Sequence, residues 1–292
     1  MKKIILLVLS MVLSSFSYAR TLDTSVAYTG SSDFNRVEMQ ATGAVNLHTL
    51  IGLQAKWVSE KAFKDDIYAV ALPVDLNFEL IQINLRPFYY FKNKSDNALY
   101  QDALAYGINS NIGIFLQEDE VNDLYTKAVL GVSFARQKGT MFTKDNLIDN
   151  RYYSQLAYSL GFQQNFYRTF GFEISATAFG YPDGVSKASG LRSIMDQQEL
   201  VASSQSFDIA HNLTKYIVGG RFTRMWADNN SSLYLGYQYS ENHSAKEEHS
   251  AVLGNTFWVA NRVQVDLAYN HIWDVHNNNR RDLFYVRLGT SF

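Results

Sequence analysis

The chain has 292 residues, with 26 Lys and Arg against 28 Asp and Glu, 38 Tyr and Phe together, and no Cys. The near-neutral charge excludes a basic nucleic-acid-binding protein, and the lack of Cys excludes disulfides and Cys-ligated metal sites. Charged residues make up only 18% of the chain, against about 25% in soluble domains, while an apolar content of 47% excludes intrinsic disorder.

The N-terminal segment predicts export from the cytoplasm. Two lysines precede an apolar run over residues 4–13, and Ser17-Tyr18-Ala19 fits a small-x-small cleavage site. The apolar run is shorter than the roughly 20 residues of a transmembrane helix, so anchoring by this segment is the alternative interpretation. We therefore predict a cleaved signal peptide over residues 1–19 and one mature domain over residues 20–292, exported in a Gram-negative bacterium.

Most of the mature chain alternates between apolar and polar residues with a period of two, which indicates β-strands of about ten residues. Polar segments separate these runs. The runs predict fourteen strands near residues 21–29, 35–47, 49–58, 66–78, 80–92, 102–116, 124–136, 151–164, 169–180, 214–226, 231–241, 249–259, 262–273 and 282–292.

The predicted connections alternate between short and long along the chain. Short links such as residues 48–49 follow every second strand, and longer polar links such as residues 93–101 and 137–150 follow the others. A barrel with both termini in the periplasm has short periplasmic turns, longer external loops and an even number of strands. We therefore predict an all-β, transmembrane, antiparallel up-and-down β-barrel of about fourteen strands, with a soluble exported β-sandwich as the alternative.

Two prolines disturb this pattern. Pro73 and Pro87 fall inside the fourth and fifth predicted strands, where each removes a donor from the hydrogen-bond ladder. A β-bulge at each proline would accommodate them. Without bulges, the hairpin is irregular, and twelve or sixteen strands are the alternatives to fourteen.

One face of the predicted strands is apolar and aromatic, and the other is polar. In a membrane barrel the apolar face meets lipid and the polar face lines water. The charged residues that we expect to line the pore are Arg36, Glu38, Lys56, Arg86, Lys127, Glu173, Arg221, Asp266 and Arg287. Since both signs occur, they predict weak ion selectivity.

The last predicted strand ends on Phe292, after the alternating residues Arg287-Leu288-Gly289-Thr290-Ser291. Together with the signal peptide, this ending resembles that of bacterial outer-membrane β-barrel proteins. The size and strand number resemble the monomeric porins of the outer membrane protein G type. The resemblance implies that the barrel assembly machinery reads Phe292 as an assembly signal, that periplasmic chaperones deliver the chain, and that the barrel is a monomer.

The six histidines are candidates for catalysis, metal binding and gating. His243 and His249 each precede a serine directly, so imidazole and hydroxyl point to opposite faces of a strand and do not form a nucleophile–base pair. We predict no catalytic residue, no metal site and no cofactor. His243, His249, His271 and His276 lie near the external ends of the last strands; they are either ordinary loop residues or a pH-sensitive gate, because neighbouring imidazolium groups would repel.

The longest connection, residues 181–213, is expected either to fold into the lumen as a constriction or to remain a surface loop. Barrels of about eight strands are filled by side chains and those of 16–18 enclose a water channel, so fourteen strands predict a narrow pore. We expect an outer-membrane channel for small hydrophilic solutes and ions, in contact with lipid and lipopolysaccharide. The alternatives are a structural or adhesive barrel and a rim-located lipid or peptide hydrolase.

Overall fold

The computed structural model describes residues 22–60, 66–91, 104–119, 124–142, 148–166, 169–182, 214–226, 231–242, 247–259, 263–275 and 280–291. They form a single antiparallel sheet with fifteen strand segments. The segments are β1 (Leu22–Gly30), β2 (Phe34–Asn46), β3 (Thr49–Glu60), β4 (Ile67–Ala71), β5 (Val74–Asn77), β6 (Ile81–Tyr90), β7 (Leu104–Asp119), β8 (Leu124–Phe142), β9 (Ile148–Phe166), β10 (Phe170–Gly180), β11 (Thr214–Met225), β12 (Ser231–Asn242), β13 (Glu247–Val259), β14 (Val263–Asp274) and β15 (Arg280–Ser291).

The sheet closes on itself. Val26 of β1 pairs with Met39 of β2 on one side and with Leu288 of β15 on the other, so the first and last strands are neighbours. Closure leaves no strand edge with unpaired backbone groups, as a sheet within hydrocarbon requires. The predicted up-and-down β-barrel is thus confirmed.

Segments β4 and β5 are two halves of one broken strand, so the barrel has fourteen strands. Ala71 of β4 pairs with Phe88 of β6, and Val74 of β5 pairs with Leu85, which keeps the same register across the break. Of the two alternatives for the prolines, the constant register thus excludes a β-bulge and leaves the irregular hairpin. Pro73 interrupts the strand. Its carbonyl still accepts a ladder hydrogen bond, from Gly52 N–H at 2.7 Å.

Pro87 sits opposite the break and is accommodated in the same way. The carbonyl of Pro87 accepts a hydrogen bond from Leu72 N–H at 2.9 Å. The ring nitrogen has no hydrogen to return, so this pair of positions has one ladder bond where two are usual. Both prolines thus cost single backbone bonds without changing the strand count or the register.

The two faces of the wall differ as in a membrane barrel. Along β8, Leu130 and Val132 are 50% and 52% exposed on the outer face, while Ser133 and Ala135 are buried on the inner face. In a soluble β-protein the apolar side chains are buried and the polar ones are exposed, so the arrangement in this wall is the reverse. No helix in the described ranges is long and apolar enough to cross a membrane.

The links at the two ends of the barrel differ in length, though less regularly than predicted. At one end, called the short-link end, the gaps between strands hold two to five residues; at the other, the long-link end, they hold three to thirty-three. The difference from prediction arises mainly at β8 and β9, which extend the ladder to Phe142 and Ile148 and shorten the link predicted over residues 137–150. Residues 183–213 of the longest link lie outside the described residues.

Candidate functional site

All nine charged residues predicted to line the pore lie on the inner face of the wall. Arg36, Lys56 and Asp266 are at most 5% exposed, although they carry charge. The other six are Glu38, Arg86, Lys127, Glu173, Arg221 and Arg287. Buried charges in proteins require partners, and the contacts within the lumen supply several of them.

One group of contacts joins four strands along the wall. Arg36 Nη2 donates to Thr29 Oγ1 at 3.1 Å, and Arg36 Nε lies 3.5 Å from Glu38 Oε2. Gln54 Nε2 donates to Glu38 Oε1, and Arg86 Nη2 donates to Gln54 Oε1. The result is a continuous polar chain from β1 through β2 and β3 to β6.

The broken strand makes this path possible. Between Gln54 on β3 and Arg86 on β6, the inner face carries only Ala71 and Pro73. Neither side chain reaches far into the lumen. The long guanidinium side chain therefore passes over the break to reach the amide of Gln54.

A second group of contacts surrounds Arg221. Its Nη2 lies 3.2 Å from Glu173 Oε2, its register partner on β10, and its guanidinium carbon lies 5.7 Å from the ring centre of Tyr234. Lys127 Nζ donates to Gln82 Oε1 at 3.2 Å and lies 5.4 Å from the ring centre of Phe115. Carboxylates, amides and aromatic rings thus hold these cations against the wall.

Tyr234 is a lumen residue that the sequence analysis missed. Its hydroxyl donates to Asp266 Oδ1 at 2.9 Å, and it reaches from β12 to β14 by lying over Gly254 on β13. Asp266 is also the register partner of Arg287 on β15. A search for charged residues on the inner face could not find Tyr234. The sequence feature that would indicate it is an aromatic residue on the inner face of its strand, opposite a glycine.

The lumen contains a polar cavity of about 600 Å³ near the short-link end. Arg86, Lys127, Glu173 and Arg221 line it, and it is also rich in amide side chains. These are Gln40, Gln82, Asn84, Asn109, Asn111, Gln163 and Asn165. Within the described ranges, Asn111 Oδ1 is buried with no hydrogen-bond partner. We call this cavity the polar chamber.

Nearer the long-link end the inner face carries a cluster of buried apolar side chains, which was not expected, beside buried polar ones such as Thr29, Gln155 and Thr214. We call this apolar cluster the apolar belt: Phe34, Val58, Ile67, Ala69, Ala71, Phe88, Tyr90, Ala105, Ala135, Ala157, Phe179, Ile217, Ile272 and Leu283. Tyr181, at the start of the longest link, packs against the belt, and its hydroxyl donates to the carbonyl of Thr214. The lumen therefore has a polar chamber near one end and a mixed lining that includes the apolar belt nearer the other.

The described histidines of the proposed gate do not face the lumen. His249 and His271 lie on the outer face, where each ring stacks on Trp273 with ring centres 5.3 and 5.5 Å apart. His271 Nδ1 lies 2.7 Å from Asp282 Oδ1, and Tyr237 Oη lies 2.5 Å from His249 Nδ1. His243, His276 and the terminal Phe292 lie outside the described residues.

His249 and the adjacent Ser250 do not form a nucleophile–base pair. Ser250 lies on the inner face and donates to Asn270 Oδ1 at 2.7 Å, whereas the neighbouring His249 is on the outer face. The described residues also contain no group of three or more metal-ligating side chains.

Comparisons with known proteins find a similar fold but no similar sequence. No family model matches the chain, and no curated protein matches it. Among solved structures, CdiB from Acinetobacter baumannii superimposes with a TM-score of 0.52 at 9% identity, over 93% of this chain and 60% of that one. The chain thus spans about three fifths of the length of CdiB.

Two porins are also similar, the NanC porin and the KdgM porin, each with a TM-score of 0.44. Their identities are 7% and 5%; the alignments cover 92% of this chain in both cases, and 98% and 99% of the porins. At such scores these two likenesses carry no inference. The closed barrel, its apolar outer face and the likeness to CdiB show that the fold is that of bacterial outer-membrane β-barrel proteins.

Proposed function

We propose that the protein is a channel of the bacterial outer membrane through which small hydrophilic solutes and ions diffuse. The observation that carries the proposal is the polar chamber, an internal cavity of about 600 Å³ lined by charged and amide side chains. A barrel that only anchors external loops has no need of such a lining, since apolar side chains would fill the lumen more stably.

The charges of the lumen favour weak ion selectivity. Arg221 is neutralised by Glu173, and Arg36 is neutralised by Glu38. Paired charges along the wall give a local transverse field instead of a long-range potential of one sign. We therefore expect cations, anions and neutral solutes to pass with similar ease.

The proposed cellular setting follows from the sequence. Residues 1–19 would direct export, Phe292 would be read by the barrel assembly machinery after delivery by periplasmic chaperones, and the mature barrel would work as a monomer among phospholipid and lipopolysaccharide. The short-link end would face the periplasm and the long-link end the cell exterior.

Swelling of proteoliposomes tests solute passage. Vesicles that contain the purified barrel should swell in isotonic solutions of small sugars and amino acids, at rates that fall as the solute becomes larger. A swelling rate equal to that of protein-free vesicles for every solute would contradict the proposal and favour a structural or adhesive role. Release of fatty acid or peptide fragments would instead support the rim hydrolase.

Gating by the four histidines is a separate proposal. Because His249 and His271 lie on the outer face, protonation would have to act through the links that contain His243 and His276. Single-channel recordings between pH 5 and pH 8 should then show a lower open probability at acidic pH, and the H243Q/H276Q variant should lose this dependence. Equal open probability of the unmodified channel across that range would refute gating.

A further inference from the structure

The outer face of β8 changes from apolar to basic at one position. Leu130, Val132 and Phe134 point outward and are exposed, and they are followed on the same face by Arg136 and Lys138. Phe134 is the last apolar residue of this outward row before the two cations. The cations therefore stand immediately beyond the apolar band, on the side of the long-link end.

An aromatic ring holds the two cations together. The guanidinium carbon of Arg136 lies 5.4 Å from the ring centre of Tyr152 on β9, and Lys138 Nζ lies 5.9 Å from the same centre. Arg136 is flanked in the ladder by Tyr106 on β7 and Ser154 on β9. Two cations on one ring, next to hydroxyl-bearing residues, form a compact basic surface.

Among the described residues, no carboxylate neutralises this surface. In the described part of the chain, neither Arg136 nor Lys138 forms an ion pair, whereas Lys215, an outer-face cation near the same end, lies 2.5 Å from Glu241 Oε1. Two adjacent like charges repel each other, and an anion placed between them relieves that repulsion.

We propose that Arg136, Lys138 and Tyr152 form a binding site for the phosphate of a lipid headgroup in the outer leaflet. The inference rests on the proposed orientation in the outer membrane. Headgroup phosphates lie just beyond the hydrocarbon, at the depth where the apolar row of β8 ends. Arginine binds phosphate with two parallel hydrogen bonds, lysine adds a point charge, and the tyrosine ring suits the membrane interface.

Native mass spectrometry of the intact barrel, titrated with diphosphoryl lipid A, tests the site. The R136Q/K138Q variant should bind this lipid about thirtyfold more weakly than the unmodified protein, the equivalent of about 1 kcal/mol for each cation. The matched control K215Q removes a cation that already has a carboxylate partner, so its affinity should not change. Dephosphorylated lipid A should bind all three proteins equally.

Equal affinity of R136Q/K138Q and the unmodified protein for diphosphoryl lipid A would overturn the site, as would an equal loss in K215Q. The conductance of R136Q/K138Q should match that of the unmodified barrel, because both side chains lie outside the lumen. Failure of the lipid site would therefore leave the channel intact, and failure of the channel would leave lipid binding intact.

Discussion

At the scale of single residues, a contact along the lumen wall depends on a glycine. Tyr234 reaches Asp266 only by crossing an intervening strand at Gly254. A Cβ atom built on Gly254 would lie 2.1 Å from Tyr234 Cζ, far inside van der Waals contact. The glycine therefore decides where this ring lies and which carboxylate it contacts.

We predict that G254A lowers the free energy of unfolding by about 1–3 kcal/mol, the usual cost of forcing extra volume into a packed site. Urea unfolding in detergent micelles, followed by tryptophan fluorescence, measures it. The control is G180A, because a Cβ at Gly180 has no atom within 4 Å. Equal unfolding free energies for the two variants would show that Tyr234 moves aside at no cost.

At the scale of strands, the broken fourth strand shows how the ladder tolerates proline. Pro73 and Pro87 each accept a ladder bond through the carbonyl and withhold the one that an N–H would donate. Because the register continues across the break, the cost is confined to these positions. At the same break no long side chain stands on the inner face between Arg86 and Gln54, so the guanidinium of Arg86 reaches the amide of Gln54.

We predict that P73A raises the free energy of unfolding by about 1 kcal/mol, since the new amide at position 73 can donate to the carbonyl of Gly52. Hydrogen exchange should show that this amide is protected. The control is P182A, at a proline outside the strands, which should leave the stability within about 0.5 kcal/mol. Rapid exchange at position 73 would show that the break persists without the proline ring.

The strands and their faces were predictable from the sequence, whereas the apolar belt was not. Period-two alternation assigns a side chain to one face, as for Asp266 and Arg287, because the pleat is a local property of the chain. The burial of Phe34 or Leu283 depends on what lies beside and across the lumen. No local period encodes such neighbours, so inner-face apolar residues at the strand ends were not recognised as a group.

At the scale of the whole barrel, the lumen contains the polar chamber and the apolar belt. The chamber is lined by charged and amide side chains such as Arg86 and Gln40, whereas the belt contains side chains as buried as Tyr90, which is 1% exposed. Apolar constrictions oppose the entry of water and ions. In the proposed channel, passage through the belt would therefore limit the rate.

We predict that Y90A raises the conductance above that of the unmodified barrel, because it removes a large side chain from the belt. Tyr89 provides the control: it is the neighbour in sequence, it lies on the outer face and it is 40% exposed, so Y89A should conduct like the unmodified barrel. Unchanged conductance in Y90A would mean that the belt does not limit the flow.

The candidate site was only partly predictable for a related reason. The inner-face position of each charged residue follows from its strand, but the partners of Lys127 and Arg221 lie on other strands, and their identity depends on the register. The histidines show most clearly which contacts the sequence alone does not predict. His249 and His271 lie near the strand ends as predicted, yet both stack on Trp273 outside the lumen.

The most direct test of a water-filled path through this barrel is the current through the purified protein in a planar lipid bilayer. A channel predicts stepwise insertions with a reproducible conductance, clearly above the bilayer background, and only weak preference for cations or anions. A barrel that inserts into the bilayer, shown by its resistance to protease, but passes no current at any voltage would contradict the account.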